Sequence, residues 1–175
     1  MKTILHTLLL SFLLFIIQCA SISKGVKLIE SFEKDKYLGK WYEIARMDFY
    51  FERGLINVTA NYSLNDNGTI KVLNRGFNPN TKEWKEAVGV AKFLDDQKKA
   101  MLKVSFFGPF YAGYNVIAID PEYKYALVCG EKFDYLWILS RETIVPDTIK
   151  KEYLKIAEDY GFKTKELVWV EHTVK

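Results

Sequence analysis

Between Tyr37 and Glu142 apolar and polar residues alternate in short runs, each closed by turn-forming residues. "KWYEIAR" comes first; "INVTANYSL" then ends at "NDNG", "TIKVLNRG" at "FNPNTKE", and "WKEAVGVAKF" at "LDDQKK". "AMLKVSFF", "YNVIAID", "YALVCG" and "YLWILSR" complete a set of eight, with no helical period of useful length between them. Period-two alternation at this spacing predicts an antiparallel meander that closes into a sandwich or an up-and-down barrel.

Successive strand residues face opposite ways, so parity separates wall from interior. The third run places Ile70, Val72 and Asn74 on one face and Lys71, Leu73 and Arg75 on the other. The fourth places Ala87, Gly89, Ala91 and Phe93 opposite Glu86, Val88, Val90 and Lys92; the fifth places Leu102, Val104 and Phe106 opposite Met101, Lys103 and Ser105. Charges fall on the outer set, the reverse of a barrel that faces lipid. The small inward trio Ala87, Gly89 and Ala91 predicts unfilled space, with compensation by larger residues across a packed core as the other reading.

Late in the chain the outer positions turn apolar, at Ile117, Ile119, Leu136 and Ile138, and need a cover. A helical pattern over 147–160 supplies one, because Ile149, Tyr153, Ile156, Ala157 and Tyr160 share a face and Gly161 stops it. "LVWV" reads as a short closing strand within 166–171.

Composition narrows the class of function. The chain has 175 residues, 49% of them hydrophobic, and a net charge of +3 with basic and acidic residues intermixed, which gives one cored domain and no basic stripe for nucleic acid. Residues 1–18 carry one lysine and then an apolar run from Leu8 to Ile17, about half of a bilayer span, as a secretory signal does. Beyond that signal His172 is the one histidine, Cys129 has no evident histidine partner, and no metal-ligand cluster or nucleotide-binding glycine loop occurs. Asp95 and Asp96 read as solvated turn residues, and Cys129 as a packed thiol. No catalytic group, metal site or cofactor is therefore expected.

The turn "FFGPFYAGY" at 106–114 holds five aromatics around two glycines and a proline. Such residues in a loop expose large apolar groups, so the segment predicts a partner.

Three elements together carry a family resemblance. "YLGKWYEIAR" contains the GxW element of the lipocalins at Gly39 and Trp41; "AIDPEYKYALV", around Asp120, resembles their second element, and "ILSR", with Arg141, their third. "FERGL", "KVSFFGPFYAGYNVIA" and "DYLWILSR" are similar to the bacterial outer-membrane branch related to apolipoprotein D. Cys19 resembles the lipobox cysteine of bacterial lipoproteins; Ile16 and Ile17 suit that pattern, and Gln18 departs from it.

The resemblance implies an all-β fold with one C-terminal helix, an eight-stranded antiparallel calyx over 37–175 with its barrel at 37–142. It implies a tether over 19–36, acylation at Cys19, a place at the outer membrane facing the periplasm, and a fatty acid or lysophospholipid ligand held for storage or transport in envelope maintenance. Arg141 would stack on Trp41 and close the floor, since a planar guanidinium suits an indole face. The loops at 47–56, 77–84, 107–113 and 129–134 then share the open end. Phe49, Tyr50, Phe51, Phe107, Phe110 and Tyr111 would form its rim, for lipid entry first and for a homodimer second.

Inward parity in the upper barrel makes Val58, Ala60, Tyr62, Val72, Asn74, Ala91, Phe93, Val104, Phe106, Tyr114, Val116, Tyr135, Trp137 and Leu139 the expected ligand wall, mostly apolar with a few donors. Glu43, inward by the parity of Trp41, is hydrogen-bonded, solvated by the cavity, or a head-group partner, because an unpaired buried carboxylate is costly.

Overall fold

The alternating runs form strands that close on themselves. In the computed structural model, which describes residue 22 and residues 25–95 and 97–173, the strands are β1 (Gly39–Arg46), β2 (Ile56–Leu64), β3 (Ile70–Asn78), β4 (Glu83–Phe93), β5 (Met101–Phe107), β6 (Phe110–Ile119), β7 (Tyr125–Cys129) and β8 (Leu136–Ser140). The signal, Cys19 and Asp96 lie outside the described residues. Each strand pairs antiparallel with the next, and β1 pairs with both β2 and β8, which gives an eight-stranded closed barrel. Closure removes the free edges that would otherwise template aggregation.

A single-turn helix α1 (Lys34–Tyr37) precedes the barrel, and helix α2 (Asp147–Asp159) covers one outer wall. Its Tyr153 and Ala157 are buried in a second apolar cluster with Ile117, Leu127, Leu136 and Ile138, and the Tyr153 hydroxyl donates to the Tyr125 carbonyl at 2.9 Å. Gly161 ends the helix at φ +95°, a backbone region that side chains disfavour. A short strand β9 (Val168–Trp169) pairs with Ala45 and Arg46, whereas β2 pairs with β1 only at residues 39–42. The C-terminal segment thus fills the seam where β1 and β2 part.

Three expectations change. Ile119 belongs to the inner cluster rather than beneath α2, because a register shift between Val116 and Ala118 reverses the parity of β6. The aromatic turn is tighter than a 107–113 loop: Phe107 pairs with Phe110 across Gly108 and Pro109, and Gly113 is buried within β6, opposite Lys103. Gly89 leaves no space, since a Cβ there would meet the Ser105 carbonyl oxygen at 2.8 Å and the Phe106 ring at 2.9 Å. Compensation by a larger neighbour holds at that position.

Within the segment read as tether, Val26 and Phe32 are buried. Phe32 packs against Tyr37, Phe93 and Tyr123 beneath the barrel, and its amide donates to the Lys98 carbonyl at 2.9 Å.

Candidate functional site

One end of the barrel is sealed by groups that the chain brings from three places, residues 36–41, 120–125 and 141. The Arg141 guanidinium lies 3.8 Å from the Trp41 ring centre and donates to the carbonyls of Lys36, Leu38 and Lys40 at 2.7–2.9 Å and of Tyr37 and Tyr123 at 3.2 Å. Trp41 donates its indole N–H to Tyr37 at 2.8 Å and is wholly buried. Gly39 sits at φ +93°, and a Cβ there would stand 3.4 Å from an Arg141 nitrogen. Asp120 clasps the β6–β7 turn by accepting from the amides of Glu122, Lys124 and Tyr125.

Because Arg141 satisfies so many carbonyls at once, Arg141→Ala is expected to cost about 2–3 kcal/mol and to lower the midpoint of thermal unfolding by about 5–12 °C. Arg141→Lys, which keeps the charge and loses the planar fork, is expected to recover less than half of that. Circular dichroism melts measure both; a shift for the alanine variant no larger than that of an ordinary surface substitution would contradict the role.

Above the floor the interior stays open. A lower hollow of about 80 Å³ is bounded by Ala60, Tyr62, Ile70, Val72, Ala91, Leu102 and Leu139, with Phe32, Tyr37 and Glu43 at its base. A wider one of about 440 Å³ opens at the mouth between Phe49, Phe51, Leu55, Ala87, Phe107, Phe110 and Tyr135. Glu52, Val58, Asn74, Val104, Phe106, Tyr114 and Trp137 bound both, so the two hollows adjoin at a waist that these side chains form. The mouth hollow alone falls within the roughly 300–1,000 Å³ of ordinary small-molecule sites.

Of the residues expected on the ligand wall, Val58, Asn74, Val104, Phe106, Tyr114 and Trp137 lie at the waist, Ala60, Tyr62, Val72, Ala91 and Leu139 around the lower hollow, and Tyr135 at the mouth. Phe93 and Val116 bound neither hollow and belong to the packed interior, Phe93 against Phe32. Sequence parity did not single out Glu52, Leu55 or Phe32, which lie outside the strands.

Besides Asn74 at the waist, two linked sets of polar side chains interrupt the apolar lining. The Tyr114 hydroxyl is 2.6 Å from that of Tyr37 and 2.8 Å from that of Tyr62. Burial holds all three phenols above their usual range, so they stay neutral and serve as a hydrogen-bonded chain.

The second is ionic. Arg46 is almost wholly buried, donates to the Glu43 carboxylate at 2.9 Å and to the Glu52 carbonyl, and sits 4.0 Å from the Glu52 carboxylate. Trp137 donates its indole N–H to that carboxylate at 3.3 Å. Glu43 is therefore paired by Arg46 at the wall of the lower hollow. Burial, then the neighbouring Glu52, raise Glu43 well above the usual carboxylate range against the pull of Arg46. Burial likewise raises Glu52. Arg46 points inward because a register shift between Glu43 and Ala45 reverses the parity of β1, which no alternation in the sequence reveals.

Cys129 is fully buried, and burial pushes its thiol up to about 12, the state of an unreactive packed residue. No group of three or more His, Cys, Asp or Glu that could hold a metal occurs among the described residues.

Comparison with known proteins agrees with this architecture. The model of the lipocalin-like domain matches residues 32–172. Outer membrane lipoprotein Blc of Citrobacter freundii is 53% identical over 157 residues, covering 89% of each chain, and the protein of the same name from Escherichia coli K12 is 50% identical over 158 residues. Apolipoprotein D of Rattus norvegicus is 42% identical over 135 residues, 72% of this chain and 69% of that one. Among solved structures, insecticyanin of Manduca sexta superposes with a TM-score of 0.71 at 18% identity, covering 86% of each chain, a likeness of fold. The closed calyx, the Trp41–Arg141 floor and the matched span together make the chain a member of the lipocalin family.

Proposed function

We propose that the protein binds single-chain lipids, fatty acids or lysophospholipids, with the tail in the adjoining hollows, and stores or carries them at the bacterial outer membrane on its periplasmic side. The observation that carries this reading is the apolar interior, a hollow of about 440 Å³ at the mouth with a second of about 80 Å³ adjoining it at the waist. Burial of a tail there contributes about 0.8 kcal/mol per methylene. The Tyr37–Tyr62–Tyr114 hydroxyls, the Trp137 indole and the Glu43–Arg46–Glu52 group are the polar contacts available along the walls. The names of the bacterial relatives support the location, and Cys19, read from the sequence as the acylated residue, would supply the anchor. Binding needs none of the groups of an enzyme, and the reading is of a carrier rather than a catalyst.

Trp137 reports on occupancy. It is the tryptophan that bounds the hollows; Trp41 belongs to the floor, and Trp84 and Trp169 are exposed outside. Titration with a fatty acid or lysophospholipid is expected to shift the intrinsic emission saturably, and Trp137→Phe to remove most of that change. Unaltered wild-type emission on titration, with no lipid retained after gel filtration, contradicts the proposal.

A further inference from the structure

On the outer wall the strand register sets two like charges face to face. Lys92 of β4 pairs directly with Lys103 of β5, an arrangement that is unfavourable unless something relieves it. No described carboxylate lies within ion-pair distance of either; both ammonium groups instead rest over the Tyr111 ring, at 5.7 and 5.0 Å from its centre. A cross-strand clash kept without a compensating partner among the described residues points to a counter-charge from outside.

The same hairpin says where that charge comes from. Tyr111 adjoins Phe110, and across the tip stands Phe107; these two phenylalanines are 77% and 69% exposed, beside Phe51 at 62% on the β1–β2 connection. Lys103 lies four residues down β5 from Phe107, about 13 Å along the strand. Apolar residues thus form the tip, a tyrosine follows, and cations stand behind it. That is the order in which a bilayer presents acyl chains, interface and phosphates.

We propose that the β5–β6 hairpin docks on an anionic phospholipid bilayer, with Phe107 and Phe110 among the acyl chains, Tyr111 at the interface, and Lys92 and Lys103 on lipid phosphates. Docking in this pose turns the mouth toward the membrane. It does not require the hollow to hold a lipid, so it stands or falls separately from the ligand-binding reading.

The test uses the full chain as purified from its envelope, with an environment-sensitive fluorophore on Phe110→Cys, and as control on Asp66→Cys in the β2–β3 turn at the closed end. Cys129 is buried and unreactive. Vesicles of phosphatidylcholine with or without phosphatidylglycerol carry quenchers at known depths. The tip probe is expected to be quenched in the acyl region with phosphatidylglycerol present, and the control to remain unquenched. Lys92→Ser with Lys103→Ser is expected to weaken that insertion about 30-fold, and raised salt to do the same. Equal quenching on neutral vesicles, or indifference to loss of both lysines, overturns the proposal. So does a blue shift that follows protein concentration without vesicles, which assigns the aromatic tip to a second copy of the chain.

Discussion

Val104→Trp is expected to abolish tight binding of a long acyl chain while leaving the barrel folded. Val104 bounds both hollows, so an indole there blocks the waist. A tail confined to the mouth forfeits about four buried methylenes, each worth about 0.8 kcal/mol, or roughly 200-fold in affinity. Octanoate, short enough to lie in the mouth, should lose only a few-fold. Isothermal titration with palmitate and octanoate separates the outcomes. Equal loss for both chains would place the site at the mouth alone, and no loss for either would place it outside the barrel.

Arg46→Met should be the most destabilising single change near the site, by about 3–5 kcal/mol at neutral pH. It leaves Glu43, buried, and Glu52, partly buried, near each other with the cation between them gone. The dependence on pH has a definite sign. Both carboxylates already titrate above their usual value in the folded protein, so the folded state holds its proton more tightly than the unfolded chain does. Stability tied to that proton is fully present below the unfolded value, about 4.3, and is lost as pH rises through the raised folded value. Without Arg46 the folded values rise further, so the variant goes on losing stability above the wild-type folded values, and its deficit should grow with pH there. Urea unfolding at pH 5 and pH 7.5 measures it; an equal deficit at both would mean that lost packing, not uncompensated charge, dominates.

The two variants probe parts of the site that differ in how far sequence revealed them. Val104 is found by counting alternate residues from Leu102, because β5 keeps its register that far. Arg46 is hidden by the register shift at Glu43–Ala45, since an arginine two places beyond an isoleucine reads as an outer-wall residue. The same kind of irregularity took Ile119 from the outer wall to the inner cluster. Glu52 and Phe32 come from segments between or before the strands, where alternation gives no signal and only chain closure brings them to the cavity.

The position of Gly89 shows a further limit. Composition marks a place where a side chain is lacking, but whether ligand or protein takes that place depends on the neighbouring strand, and here Phe106 takes it. Ala87 and Ala91, of the same size class and face, bound the mouth and the lower hollow respectively.

By itself the sequence determined the strands, the antiparallel order, the covering helix and the motif residues Gly39, Trp41, Asp120 and Arg141. All of these rest on local periodicity and on short patterns that survive in one dimension. Tertiary structure decided which space stays empty, which carboxylates share one arginine, and where like charges meet across a register. Those are distances between residues far apart in the chain, and a single bulge is enough to reverse which face a residue joins.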